Sequence, residues 1–286
     1  MSGSGKQARE LLTLIRHLRR HGLRPRLYSD RAELDAAIRP PDRRAALKAI
    51  VSAGGDGTLL DLLNRHPDLP IAVFPLGTEN LVAKYLKLPR CGRTIADMIA
   101  AGRVETFDTA TLNARQFLIM ASLGFDAAVL HRTHAARSGH ISHLAYAIPL
   151  LRELAGYAPP ALRVTVDDGP EVEGHFVIVG NLPRYALDLP IVPRANGHDG
   201  VLDIRIFRGS TRADLVRQLA TILFDPAGTS EHVIEARGQR VRISSDRPVA
   251  VQTDGDPAGT TPCDIEIQPA AVRLVVPESY RIALPS

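Results

Sequence analysis

The sequence predicts an α/β domain built on a doubly wound, mostly parallel sheet, followed by an all-β, sandwich-like domain. Three observations carry that reading. Up to about Phe107, helical and strand periodicities alternate. Beyond Phe107 the chain becomes short alternating strands separated by turn signals. Within the first part, the apolar run Leu47-Lys48-Ala49-Ile50-Val51-Ser52-Ala53 leads straight into Gly54-Gly55-Asp56-Gly57-Thr58 and then Leu59-Leu60-Asp61-Leu62-Leu63.

Taken in order, Gln7 to His21 carries Leu11, Leu12, Leu14, Ile15 and Leu18 at helical spacing, and Gly22 ends that helix. Arg24 to Tyr28 reads as a short strand and Ala32 to Ile38 as a helix. Ala49 to Ala53 is a buried strand, Thr58 to Asn64 a helix, Ile71 to Phe74 a strand, and Asn80 to Leu86 a helix that Pro89 stops. Repeated βα units imply a parallel sheet, whose ligands bind beyond the C-terminal ends of its strands. Gly54-Gly55-Asp56-Gly57 and Pro75-Leu76-Gly77-Thr78 both fall at such ends. In the second part Ala161 to Val166, Glu173 to Val179, Val201 to Phe207, Arg240 to Ser244 and Val249 to Gln252 read as strands. Ile141 to Leu154 and Arg212 to Phe224 are helical inserts among them.

The bulk numbers narrow the classes of function. A chain of 286 residues, 45% hydrophobic and 23% charged, has a real core and room for two medium domains. No stretch reaches the roughly 18 uninterrupted apolar residues of a membrane span, and the N-terminus lacks the blocks of a signal peptide. Cys91 and Cys263 are too few for a disulfide framework, so a cytoplasmic setting is expected. Trp is absent and aromatics are 5%, which leaves stacking on nucleic acid little to work with. His131, His134, His140 and His143 match no closed zinc set. Arg16, Arg19, Arg20, Arg24 and Arg26 form a basic face suited to phosphates or acidic lipid head groups.

A strand running into three glycines and then a helix lets the backbone approach a phosphate closely. Asp56 is the odd element, since a carboxylate beside phosphates is repulsive unless a metal ion or hydroxyl lies between them. The second turn, Phe74-Pro75-Leu76-Gly77-Thr78-Glu79-Asn80, follows about twenty residues later. Gly-Gly-Asp-Gly-Thr paired in this order with Pro-Leu-Gly-Thr-x-Asn resembles the diacylglycerol kinase catalytic family, which includes bacterial soluble lipid kinases and sphingosine kinases and is distantly related to NAD kinases. Ser2-Gly3-Ser4-Gly5-Lys6 resembles the tail of that family's phosphate loop. Val192-Pro193-Arg194-Ala195-Asn196-Gly197-His198-Asp199-Gly200-Val201-Leu202-Asp203 resembles its Asp-Gly-x-Leu metal segment, and Gln252-Thr253-Asp254-Gly255-Asp256 the Asp-Gly-Glu turn carrying its general base.

The resemblance implies an NAD kinase-like nucleotide domain over residues 1–107, a β-sandwich lipid domain over 108–274, and an active site in the cleft between them. It also implies that residues 275–286 rejoin the first domain. Gly54, Gly55, Asp56, Gly57 and Thr58 would line the ATP phosphates, with Asp56 acting through Mg²⁺ or a bound water. Gly77, Thr78 and Asn80 would serve from the second turn, and Ser29 would contact the nucleotide. Asp199, the Asn196 side chain and the Val201 carbonyl would hold a second, structural magnesium. Asp256 would accept the proton from a lipid hydroxyl attacking the γ-phosphate.

Several positions depart from the family pattern. The sequence opens without the strand and Asn-Pro that precede the phosphate loop, so either the start is set late or one edge of the nucleotide site differs. Asp61 and Glu79 stand for a usual Glu and Gly, Asn196 for Asp, and Asp256 for Glu. Structural roles also stay open: Asp56 as a helix cap, Asp199-Gly200 and Asp254-Gly255 as plain turns, and residues 138–157 as either a lipid-facing flap or core. The expected activity is an ATP- and Mg²⁺-dependent lipid kinase with peripheral membrane contact. The alternatives are a kinase of a soluble hydroxyl substrate, or a non-catalytic nucleotide- or lipid-binding homologue. The sequence leaves the particular lipid and the oligomeric state open, a homodimer included.

Overall fold

The computed structural model describes residues 3–135, 158–185, 188–224 and 232–282. The expected insert Ile141 to Leu154, the flap over 138–157, and His140 and His143 lie outside the described residues. The chain divides into two compact units, one of Met1–Phe107 with Ala271–Ile282 and the other centred on Asp108–Ala270.

The first unit contains α1 (Gly3–Arg20), α2 (Arg31–Ile38), α3 (Pro41–Ala45), β1 (Ile50–Gly54), α4 (Asp56–Arg65), β2 (Pro70–Pro75), α5 (Leu81–Tyr85) and α6 (Gly92–Ala101). β1 pairs parallel with β2, Ile50 opposite Ile71 and Gly54 opposite Pro75. β2 also pairs parallel with the end of β14 (Cys263–Val275), where Arg273 faces Pro70 and Val275 faces Ala72. β2 is therefore a central strand, which accounts for its unbroken apolar run Ile71-Ala72-Val73-Phe74. Leu14 and Leu18 of α1 and Ile95 and Ile99 of α6 pack with Ala72, Phe74 and Val275 in one core. The Glu10 carboxylate accepts the Gly92 N–H at 2.8 Å and fixes the start of α6 against α1.

One expected element is not formed. Residues 23–28 carry no regular structure where a strand was expected at Arg24 to Tyr28. Pro25 cannot donate to a ladder and Leu27 is 68% exposed, so neither pairing nor burial offsets the cost of ordering the segment.

The second unit is two sheets face to face. Its strands are β3 (Val104–Leu112, the first residues belonging to the first unit), β4 (Arg115–Phe117), β5 (Met120–Leu123), β6 (Leu162–Val166), β7 (Val172–Gly174), β8 (Phe176–Gly180), β9 (Leu202–Phe207), β10 (Val233–Gly238), β11 (Arg240–Ser244), β12 (Ala250–Thr253), β13 (Asp256–Thr260) and the start of β14. One sheet runs β10-β9-β8-β5-β12-β13; the other includes β14-β11-β6-β7 with β3 and β4. Leu123, Val177, Val179, Ile204 and Val251 from the first meet Leu162, Val164, Val241, Ile243 and Ile265 from the second. The helices α7 (Phe125–Ala135) and α8 (Arg212–Phe224) complete it, Phe125 and Val129 packing on Leu215. Helices α3, α6 and α7 go beyond the sequence reading. Among the described residues, no helix is long and apolar enough to cross a membrane.

Candidate active site

The turns after β1 and β2 are locked to each other by main-chain atoms. The Gly54 carbonyl accepts the N–H of Leu76 at 2.9 Å and of Gly77 at 3.1 Å. A Cβ on Gly77 would lie 2.5 Å from the Gly55 Cα, so any side chain there would force the turns apart. α4 buries Leu59, Leu60, Leu62 and Leu63, which aims its first turn back at this junction. Its cap, Gly55, brings no side-chain hydrogen bond, and Gly57 and Thr58 are exposed. The start of a ten-residue helix thus leaves Gly57 and Thr58 open to solvent beside the two glycine turns, a fit for an anionic group.

Asp56 faces the other way. Its Oδ2 accepts the Leu81 N–H at 2.9 Å and its Oδ1 the Val82 N–H at 3.1 Å. The carboxylate caps α5, the helix after the second turn, instead of its own helix. Burial pushes the Asp56 carboxyl above the usual range, the N–H bonds of Leu81 and Val82 pull against it, and the charge of Glu79 adds to the push. Asn80 occupies the left-handed region at φ 52 and is 4% exposed. Its Oδ1 accepts the Gly77 N–H at 2.9 Å and its Nδ2 donates to the Gly77 carbonyl at 2.6 Å. Arg90 donates to the carbonyls of Gly77 and Thr78, at 2.7 and 3.2 Å. Thr78 is exposed, and Glu79 is paired with Lys84 at 3.6 Å. Ser29 is exposed just ahead of Asp30, which caps α2 by accepting the Glu33 N–H at 2.9 Å. Gly3 to Lys6 form the first turn of α1.

In the second unit, Asp254-Gly255 is the two-residue turn of the β12–β13 hairpin, with Thr253 opposite Asp256. Both turn residues have positive φ, 49 and 87, which matches the twist of a tight hairpin. The Asp254 carboxylate accepts three N–H groups, from Leu118, Ile119 and Met120, at 2.7 to 2.9 Å. Gly255 donates its N–H to Gln252 Oε1 at 2.9 Å. Gln252 is fully buried and donates to Ser122 Oγ at 2.8 Å and Asp126 Oδ2 at 3.2 Å; Ser122 in turn donates to Asp126 at 2.6 Å. Burial pushes the Asp126 carboxyl upward, against those two hydrogen bonds. Asp256, next in the chain, is half exposed, with its carboxylate 3.4 Å from Arg115. His131 bonds the Val251 carbonyl at 2.8 Å.

The Asp199 turn is closed from within. The Asn196 carbonyl accepts the N–H groups of His198 and Asp199, at 2.7 and 3.3 Å. Asp108, itself buried, accepts the Gly200 N–H at 2.8 Å and the Ala270 N–H at 2.7 Å. Asp199 Oδ2 is hydrogen-bonded to the Arg237 guanidinium, and its Oδ1 accepts the Val201 N–H at 3.3 Å. Of the set expected to hold magnesium, Asp199, Asn196 and the Val201 carbonyl, the one carboxylate is thus already in contact with a guanidinium. Among the described residues, no group of three or more His, Cys, Asp or Glu side chains is arranged to hold a metal ion.

Sequence reasoning thus missed Asp108, Ser122, Asp126, Arg237 and Gln252 as organisers. Only the Asp-Gly pair at 254–255 carried a local signal, that of a tight hairpin.

Comparison with known proteins agrees with this architecture. Residues 119–276 match the YegS C-terminal NAD kinase beta sandwich-like domain, and residues 1–112 match the diacylglycerol kinase catalytic domain. The chain belongs to the YegS-type diacylglycerol kinase family. Members of this family are phosphotransferases that act on an alcohol group, and the chain is an enzyme of that class. It is 29% identical to a diacylglycerol kinase of Mycobacterium tuberculosis over 239 residues, covering 80% of this chain and 77% of that one. A diacylglycerol kinase of Bacillus subtilis is 23% identical over 252 residues, covering 82% and 81%. In fold, the chain is similar to the crystal structure of a Bacillus anthracis diacylglycerol kinase, with a TM-score of 0.69 at 19% identity over 95% of this chain and 92% of that one. An Archaeoglobus fulgidus NAD kinase solved in complex with ATP shares the fold at a TM-score of 0.52 and 15% identity, over 94% and 90%.

Proposed function

We propose that the chain transfers the γ-phosphoryl group of ATP to the hydroxyl of a diacylglycerol-like or sphingoid lipid, working in the cytoplasm at a membrane surface. The observation that carries this reading is the interlocked pair of glycine turns, which leaves Gly57 and Thr58 exposed at the start of α4. Those groups and Thr78 would take the phosphates. Asp56 would act as a positioning residue, holding α5 and the second turn in register with the first. Mg²⁺ bound with the nucleotide would neutralise phosphate charge. Asp256 would take the proton of the lipid hydroxyl as its oxygen bonds to the γ-phosphorus and the bond to the ADP oxygen breaks. Peripheral contact is supported by α1, where Leu12, 59% exposed, stands among Arg16, Arg19 and Arg20 on one helix face.

The test is purified protein with labelled ATP, Mg²⁺ and a mixed lipid panel. Label extracted into the organic phase is the expected result. Label confined to an aqueous, NADP-like product would move the assignment to a soluble hydroxyl substrate. Nucleotide binding with no turnover on any lipid would make the chain a non-catalytic homologue.

A further inference from the structure

The two carboxylates at the Asp199 turn already share a counter-charge supplied by the protein. Arg237 lies on β10 directly opposite Asp203 of β9, so the ladder itself puts the guanidinium on that side chain. Its Nε is 3.4 Å from Asp203 Oδ1, and its Nη2 is hydrogen-bonded to Asp199 Oδ2. The two carboxylates are nearly buried, with side chains 8% and 10% exposed, while Arg237 is 42% exposed. A buried carboxylate pair of this kind requires a counter-charge, and a guanidinium that bridges the two carboxylates through Nε and Nη2 supplies it. The turn's backbone needs none either: Asp108 accepts the Gly200 N–H, and the Gly197 carbonyl accepts the Asp108 N–H at 2.8 Å.

We propose that Arg237 takes the place of a structural divalent cation at the Asp199 turn, so that this turn is held without metal. Resting on the kinase reading above, this confines any Mg²⁺ requirement of turnover to the nucleotide. A divalent ion placed on the same carboxylate would sit against the guanidinium, and only one of the two cations can hold the site.

The experiment needs neither ATP nor lipid, so it stands apart from the fate of the kinase assignment. Nucleotide-free protein is melted in EDTA and in millimolar MgCl₂, and Mn²⁺ binding is followed by electron paramagnetic resonance. Wild type is expected to melt at the same temperature in both buffers and to retain no tightly bound Mn²⁺. Arg237→Ala is expected to melt lower in EDTA and to regain about 2–4 °C on adding MgCl₂, as the exposed carboxylate pair recruits the ion. A comparable Mg²⁺-induced rise in wild type, or one tight Mn²⁺ site in it, would overturn the proposal. So would an Arg237→Ala protein that folds and ignores Mg²⁺. If that variant does not fold, the wild-type measurements decide alone.

Discussion

In the first unit, the turns after β1 and β2 lock together through main-chain atoms and leave Gly57, Thr58 and Thr78 exposed. In the second, the turns at Asp199 and Asp254 spend their carboxylates inward, on Arg237 and on three backbone N–H groups. The difference separates two uses of similar-looking sequence. A glycine-rich turn can be organised by its backbone and keep its donors for a ligand. An acidic turn must first satisfy its own buried charge, and beside the Asp254 turn Asp256 is left partly exposed. Asp56 links the two patterns, because it is an acidic residue spent on organising a glycine turn.

The sharpest way to break this comparison is at Asp256. Asp256→Asn is expected to lower kcat by about 10²–10⁴-fold while nucleotide affinity stays unchanged, read from steady-state rates and a nucleotide titration. Wild-type turnover in that variant would take the base role away from it. Asp56→Ala is expected to abolish measurable turnover and weaken nucleotide binding together, because α5 loses its cap and the second turn drifts. Loss of turnover with full nucleotide affinity would instead make Asp56 a direct participant.

Asp254→Ala should act on folding. Three N–H groups lose their acceptor, at a cost of about 3 kcal/mol or more, visible as a lower midpoint in urea. An unchanged midpoint would mean that water replaces the carboxylate.

The smallest expected effect is at Asp126. Its carboxyl is raised, so the native state keeps the proton to higher pH than the unfolded chain does. That contribution is complete below the ordinary aspartate value of about 3.9 and is lost as pH rises through the native value. Asp126→Asn keeps an oxygen that can accept from Ser122 and Gln252, so its stability relative to wild type should grow as pH rises from acid to neutral. Urea midpoints at several pH values check this, and a constant difference would sink it.

Much of the α/β unit was legible because β2 is buried on both faces and reads as an apolar run, and because a glycine turn announces itself locally. The β-sandwich was legible from strands that alternate inward and outward. What stayed hidden depends on distant partners. Nothing near Asp56 in the chain points to Leu81 and Val82, and nothing near Asp199 points to Arg237 on the next strand but one. α7 buries Phe125, Ala127, Val129 and Leu130 around its circumference, so it lacks the single apolar stripe that marks a surface helix. Residues 24–28 erred the opposite way, since a β-like composition found no neighbour to pair with.

The closing strand of the first unit comes from near the far end of the chain: Arg273 to Val275 of β14 pair with β2, and Val275 lies in the core with Phe74. On a ribosome, the strand that delivers the second glycine turn therefore waits, with one edge open, until residues 273–275 have been made. This unit is begun before residues 108–270 are made and is finished after them. A chain stopped before residue 271 should leave β2 without that partner and the core of the first unit without Val275.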